Sequence, residues 1–438
     1  MEGLKIGVIS LGCDKNRVDT EKMLAILSEK HTITSDMREA DVIIINTCAF
    51  LKASREESVS EILSAAELKK EGALKKIIVT GCLPQKYASE LMAELKEADA
   101  FLGVSDYAKI NGVIDELFSK NERINAVGVP FNECGIMRRV TTTGYAYLKI
   151  ADGCSNHCTY CLIPKIRGAY RSVPFDDLIS EVRDMGNVGE LILVAQDTAL
   201  YGCDLTPRRS LAELIRALSA LPGVRGIRIL YCYPENLTEE LIHELKVNPK
   251  LIKYLDIPFQ HADDRILKLM NRKGTGEEYL KLIERLKNEV PGIALRSTFI
   301  AGFPTETEEN FNNLIKFIEK AELFNAGFFK YSREEETAAY NLPDQVKEGV
   351  KTLRVKKLYS AQKKVVRKIA KSLIGKSVKV IAEGFDKDRI CYYGRAYFNA
   401  PEIDGKVYFF SKEEVDVGKF YDVKIVDREE YDLIGERI

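Results

Sequence analysis

Gly153-Cys154-Ser155-Asn156-His157-Cys158-Thr159-Tyr160-Cys161 decides the fold reading, because three thiols packed this closely can converge on one centre without help from distant chain. Convergent thiolates ask for a metal. A structural zinc site wants four protein ligands, often as two Cys-x-x-Cys pairs, and no second pair follows this one. His157 is a poor fourth ligand, since its neighbour Cys158 is already one and adjacent side chains in extended chain face opposite ways. The three cysteines suit a cubane iron-sulfur cluster, in which three irons take thiolates and the fourth stays open to a ligand from outside the protein.

The spacing Cys-x-x-x-Cys-x-aromatic-Cys, with Tyr160 as the aromatic residue, resembles the signature of the radical S-adenosylmethionine (SAM) enzymes. The resemblance implies that SAM binds the open iron and is cleaved reductively to a 5′-deoxyadenosyl radical, hard chemistry that belongs to the cofactor while the protein places and shields the radical.

Working outward, short apolar runs alternate with helical patterns at 146–150, 191–195, 226–231, 254–257, 295–301 and 326–331. Right-handed crossovers would curl six such strand-helix units into an open barrel with its active site at the strand carboxyl ends. The cysteine triad follows the first of these strands. Gln196-Asp197, Tyr233-Pro234, Gln260-His261 and Gly302-Phe303-Pro304 occupy the same edge after later strands. In other radical SAM enzymes the position of Ala195-Gln196-Asp197 holds a Gly-Gly-Glu run that binds the SAM amine. Gln196 and Asp197 are therefore candidates for that role, against the plainer reading of polar residues ending a strand. His261 reads as a hydrogen-bonded strand-end histidine, and no residue stands out as a catalytic acid or base. Thr305 is expected to cap a helix running to Lys320, with Glu308 completing a capping box.

Before the barrel, the chain alternates strands at 5–10, 41–46 and 76–80 with helices at about 18–29, 53–70 and 86–97, a pattern for a parallel sheet covered on both faces. Cys13, Cys48 and Cys82 each fall just past one of those strands. For any one of them a buried apolar thiol is the plain account. All three at one sheet edge, where open parallel sheets hold ligands, favour a second three-coordinate cluster. A helix near 109–118 follows, then a loose linker that includes Cys134, read as an incidental thiol, and Arg138, Arg139 and Thr141.

After the barrel, ten Lys or Arg between Lys347 and Lys371 face one acid, Glu348, on a helical period. The plain reading is a solvated helix face joining two domains; the alternative is a contact with ribosomal RNA. From Ser377 the pattern is all-β, with strands at 377–383, 389–398, 406–411 and 420–427 suggesting a small closed barrel. Residues 376–438 carry 11 basic and 14 acidic side chains, a net of −3, where an RNA-binding barrel should be basic, so a protein partner is the better inference. Cys203, Cys232 and Cys391 have no companions and read as structural. The expected organisation is an N-terminal parallel α/β domain over 1–125, an open six-unit β/α barrel over 140–372 and a small β-barrel over 373–438.

The whole chain of 438 residues has 65 Lys and Arg against 66 Asp and Glu, which excludes a general nucleic-acid binder resting on overall charge. Ten cysteines, no apolar leader at Met1 and no run of membrane-spanning length point to a reducing cytoplasm and no membrane.

With both triads and the β tail in view, the chain resembles the methylthiotransferases, which join an auxiliary-cluster domain, a radical SAM barrel and a C-terminal TRAM domain. Within them it looks most like the branch that acts on an aspartate of small-subunit ribosomal protein number twelve. The carrying stretches are Leu11-Gly12-Cys13-Asp14-Lys15-Asn16-Arg17-Val18-Asp19, Val194-Ala195-Gln196-Asp197-Thr198, Pro258-Phe259-Gln260-His261 and Tyr431-Asp432-Leu433-Ile434-Gly435-Glu436. The tRNA-modifying branch typically reads Gly-Cys-Gln-Met-Asn, Gly-Gln-Asn and Gln-Ser-Gly at the first three. The resemblance implies two 4Fe-4S clusters, on Cys13, Cys48 and Cys82 and on Cys154, Cys158 and Cys161, and a low-potential electron donor. It also implies SAM in two roles, methyl donor to a sulfur held at the auxiliary site and source of the radical that abstracts hydrogen from the aspartate β-carbon. The competing readings are a tRNA adenosine methylthiotransferase, a non-catalytic iron-sulfur protein that binds ribosomes or carries electrons, and a zinc protein.

Overall fold

The computed structural model describes residues 3–72, 74–131 and 138–438; Cys134 lies outside the described residues. Val42–Thr47 is buried along its whole length, as a strand must be when helices cover both faces of its sheet. It is β3 of a parallel sheet made with β1 (Lys5–Ser10), β2 (Thr32–Thr34), β4 (Lys76–Gly81), β5 (Ala100–Phe101) and β6 (Ile124–Asn125), in the order β2-β1-β3-β4-β5-β6. Helices α1 (Asp14–Ser28), α2 (Lys52–Lys70), α3 (Cys82–Glu94) and α4 (Ile110–Lys120) connect the strands. The strand order reverses between β1 and β3, and an open parallel sheet leaves a crevice beyond its strand ends at such a point.

Two helices start earlier than their apolar periodicity suggests. α1 begins at Asp14 rather than near Val18, with Cys13 as its N-cap, and α3 begins at Cys82 rather than near Lys86. A polar first turn (Asp-Lys-Asn-Arg) hides the first start. Pro84, tolerated only within a first helical turn, hides the second.

The second unit adds β7 (Tyr145–Lys149), β8 (Ala151–Asp152), β9 (Arg171–Ser172), β10 (Glu190–Val194), β11 (Ile227–Ile229), β12 (Leu251–Asp256), β13 (Ala294–Ala301) and β14 (Asn325–Lys330). Six of these form an all-parallel curved sheet, β14-β13-β12-β11-β10-β7, while β8 and β9 pair separately and close the base of the cysteine loop. Helices α5 (Ile163–Ile166), α6 (Phe175–Met185), α7 (Leu211–Ser219), α8 (Glu239–Val247), α9 (Asp264–Leu269), α10 (Gly276–Glu289) and α11 (Glu308–Ala321) fill the crossovers. Amphipathic faces such as Leu211, Leu214, Ile215 and Leu218 of α7 bury against the outside of the strands and build the largest core.

The cap of α11 differs from the sequence reading. Thr307, not Thr305, accepts the hydrogen bond from Asn310 N, and Asn310 rather than Glu308 closes the box. Thr305 adopts φ 67°, because the next residue, Glu306, is drawn into the core by Arg354 Nη1 at 2.7 Å and lies 3.4 Å from His261 Nε2. His261 is fully buried, and its Nδ1 accepts from Asp263 N at 3.0 Å, the structural role read from the sequence.

Helix α12 (Glu348–Leu373) runs from the barrel to the tail. Lys351 and Arg354 are buried, and Lys357, Lys363 and Lys368 pair with Glu308, Glu430 and Glu322. Five of its nine basic residues are thus used within the fold.

The tail is a closed barrel of β15 (Ser377–Asp386), β16 (Cys391–Arg395), β17 (Val407–Phe410), β18 (Phe420–Glu429) and β19 (Asp432–Arg437), ordered β15-β16-β17-β19-β18. The closing strand β19 was not evident in the sequence as a strand, since only Leu433 and Gly435 face inward. A Cβ at Gly435 would come within 2.4 Å of Val423 Cγ1, so the closure needs glycine there. The loop between β16 and β17 lodges against the larger barrel, where Arg228 Nη1 donates to Tyr397 O at 2.8 Å and Tyr254 hydroxyl to Asp404 Oδ2 at 2.7 Å.

Glu190 fastens this junction. Its buried carboxylate accepts from Arg228 Nε on β11 and, at 2.8 Å, from Arg395 Nη1 on β16. Burial alone would raise its pKa, but the two guanidinium groups hold it below the usual range. Glu190→Ala leaves both cations without their shared anion and is expected to cost about 3–5 kcal/mol, read as a lower urea midpoint. The loss should be full above the ordinary carboxylate range and shrink as pH falls toward the depressed folded value.

Candidate active site between the two sheet edges

The strand register brings Cys13, Cys48 and Cys82 to one edge, because Ser10 aligns with Asn46, Asn46 with Thr80 and Thr47 with Gly81. Cys13 is the N-cap of α1 and Cys82 opens α3, so two of the three sulfurs are carried on helix starts. Gly12 (φ 90°) carries the chain past this corner; a Cβ there would lie 2.8 Å from Cys48 Cβ and 3.1 Å from its sulfur. The space beside these sulfurs is kept clear by glycine.

The second triad hangs on a loop tied at both ends. Cys154 N donates to Gly168 O at 3.1 Å and Thr159 N to Met270 O at 3.2 Å. Gly153 (φ 75°) admits no Cβ, which would meet Ala169 O at 2.1 Å. His157 is exposed and adopts φ 49°, while the cysteines beside it are half-buried.

All six cysteines line one cavity of about 420 Å³. Tyr160, Gln196, Tyr231 and Tyr233 share its wall with Lys15 and Arg272. Gln196 donates from Nε2 to Asp152 Oδ1 at 3.1 Å, while its buried Oε1 has no partner among the described residues. Asp197 is wholly buried behind the wall, where it accepts from Asn236 Nδ2 at 2.7 Å, Asn156 Nδ2 at 3.2 Å and Tyr233 N at 3.4 Å. Burial raises its pKa against these hydrogen bonds. Asp197 thereby anchors the cysteine loop through Asn156, whereas Gln196 faces the cavity.

Arg167 joins the two halves. Fully buried, it donates from Nη1 to Asp152 Oδ2 at 2.8 Å and from Nη2 to Asn16 Oδ1 at 2.6 Å, to Asp19 Oδ2 at 3.4 Å and to Cys82 Sγ at 3.7 Å. Lys149 Nζ adds a second cation, bound to Asp19 and, at 3.3 Å, to Asp152. Burial alone would raise the Asp152 pKa, but Arg167 and Lys149 hold it well below the carboxylate range. Sequence reasoning missed this network because nothing around Arg167 marks it; its partners come from positions 16, 19, 82 and 152.

Burial pushes the metal-free thiols of Cys82 and Cys161 up to about 12 and that of Cys154 to about 11. A positively charged metal cluster would reverse that, taking the thiolates and releasing protons. Each triad offers three thiols, the number a 4Fe-4S cube with one open iron takes, whereas a structural zinc site closes on four protein ligands.

Comparison with known proteins places this arrangement. Residues 5–103 match uncharacterized protein family UPF0004, residues 148–318 the radical SAM superfamily and residues 374–438 the TRAM domain. Among solved structures, the cobalamin-dependent SAM radical enzyme OxsB superposes with a TM-score of 0.54 at 13% identity, covering 84% of this chain and 56% of that one, a likeness of fold. The class is therefore that of the radical SAM enzymes, here with an added N-terminal α/β domain and a C-terminal TRAM barrel. "Ribosomal protein uS12 methylthiotransferase RimO" of Clostridium novyi is 47% identical over 99% of this chain and 98% of its own length. That of Geobacter sulfurreducens is 46% identical over the same shares. The chain belongs to the RimO family of methylthiotransferases.

Proposed function

We propose that this enzyme methylthiolates the β-carbon of an aspartate in ribosomal protein uS12, within a cavity that both cysteine triads share. The single observation carrying this reading is that cavity: six thiols from two domains facing one half-open space, in a chain whose relatives are named ribosomal protein uS12 methylthiotransferase. When bound, a 4Fe-4S cluster on Cys154, Cys158 and Cys161 supplies the electron for SAM cleavage, and one on Cys13, Cys48 and Cys82 supplies a place to carry sulfur.

The chain's own residues do the rest. An aspartate β-carbon is unactivated toward polar chemistry, which is why a radical is required. A short-lived radical allows no diffusion between separate sites, so selectivity comes from position, and Arg167 fixes the two triads across the domain boundary. Gln196 offers its free Oε1 to the amino group of SAM, and Tyr160 and Tyr233 form an apolar wall that excludes water. Asp197 keeps the cysteine loop in place. Exposed Lys356, Lys364, Arg367 and Lys371 on α12 are available to a ribosomal RNA backbone if the assembled subunit is the substrate. A low-potential donor completes the system, and a reducing cytoplasm keeps the six thiols competent.

Mass spectrometry of uS12 from cells with and without the gene tests the reading. A methylthio increment lost only with the gene is the expected result; an increment in both strains, or loss of methylthio-adenosine from tRNA instead, would overturn it.

No helix among the described residues is long and apolar enough to cross a membrane.

A further inference from the structure

The cavity wall offers three cations: Lys15, Arg167 and Arg272. They are not equivalent. Arg167 is committed to Asp152, Asn16, Asp19 and Cys82. Arg272 belongs to the radical SAM side, with its guanidinium 3.7 Å from the centre of the Tyr233 ring and Nη2 donating to Pro258 O at 2.7 Å; the Tyr233 hydroxyl lies 3.8 Å from Cys158 Sγ.

Lys15 belongs to the other side. It is two residues past Cys13 and only 7% exposed, with its ammonium 3.5 Å from the centre of the Tyr231 ring and 2.9 Å from Asp14 Oδ1. An ammonium has three donors. The described structure gives one to Asp14 and lays the group over a ring face, which leaves donor capacity toward the cavity.

We infer that Lys15 holds the carboxylate of the aspartyl side chain being modified and so selects an aspartate. The inference rests on the reaction proposed above. An ionised aspartate entering this half-open cavity sheds part of its water and needs a compensating charge. The carboxylate carbon is bonded directly to the β-carbon, so a cation beside Cys13 that fixes the one fixes the other at the mouth of the auxiliary triad. The β-carbon hydrogens are then left facing Cys154, Cys158 and Cys161. The SAM that is cleaved belongs, in the reaction proposed above, with the second triad and Gln196, not with Lys15. The Tyr231 face limits where the ammonium can move, which converts attraction into position.

The test compares binding of two forms of uS12, unmodified and carrying Asn in place of the target Asp, to the iron-loaded enzyme with SAM. The wild type is expected to favour the aspartate form by about tenfold or more, the scale of one charge-assisted hydrogen bond. Lys15→Met should erase that preference and Lys15→Arg retain part of it, with iron content and SAM affinity unchanged. A Lys15→Met enzyme that weakens both forms equally would show a merely structural role and overturn the inference. So would one that keeps the preference, or one that loses SAM affinity instead. If Lys15→Met fails to load iron, Lys15→Gln and Lys15→Arg carry the same comparison. Failure of the proposed reaction itself is told apart by the wild type, which would then leave uS12 unmodified before any variant is compared.

Discussion

Replacing Cys13, Cys48 and Cys82 together by alanine is expected to abolish methylthio transfer while reductive cleavage of SAM to 5′-deoxyadenosine continues. The two activities separate because the triads come from different domains. The three substitutions lie beyond β1, β3 and β4, and the loop carrying Cys154, Cys158 and Cys161 is held by its own contacts to Gly168 and Met270. Removing the positioned sulfur site should lower product formation by more than roughly a hundredfold, the scale on which losing an aligned reacting group acts. SAM cleavage should stay within a few-fold of wild type. Chromatography of 5′-deoxyadenosine beside mass spectrometry of uS12 reads both at once; equal loss of both would mean that the N-terminal triad serves radical generation itself.

The second large effect is expected at Arg167. Arg167→Met leaves Asp19 and Asp152 buried with Lys149 as their remaining cation, and removes the link from the cysteine loop to Asn16 and Cys82. Breaking a buried ionic network by removing one partner costs about 3–5 kcal/mol. Urea unfolding of the metal-free protein should show that drop near neutral pH. Asp152 is held well below its ordinary pKa when folded, so its share of stability is complete above the unfolded carboxylate value of about 4 and declines as pH falls below it. The gap between wild type and variant should narrow on acidification by the same course. A constant gap across that range would place the cost elsewhere, in lost packing rather than charge.

Much of the site was legible in the sequence, and the reason is spacing. Cys154, Cys158 and Cys161 lie close enough along the chain to converge alone, and the short apolar runs and helical patterns around them set the strands that carry them. Cys13, Cys48 and Cys82 were legible because each ends a strand of one parallel sheet, and the register then aligned them. What the sequence hid was everything that depends on distant partners. Arg167 draws its ligands from another domain, and Lys15 becomes notable only beside Tyr231. Thr307 displaced Thr305 as a cap because Arg354, in a helix far along the chain, pulls Glu306 inward. The strand β19 escaped notice because a closing barrel strand needs only two inward positions, one of them a glycine whose fit is set by Val423.

Iron and acid-labile sulfide analysis of the anaerobically reconstituted wild-type chain tests the central claim most directly, since two open cubanes facing one cavity underlie both the chemistry and its selectivity. Two three-thiolate sites predict about eight irons per chain, falling to about half when either triad is removed. A wild-type chain that holds only about four irons under the same conditions would contradict it.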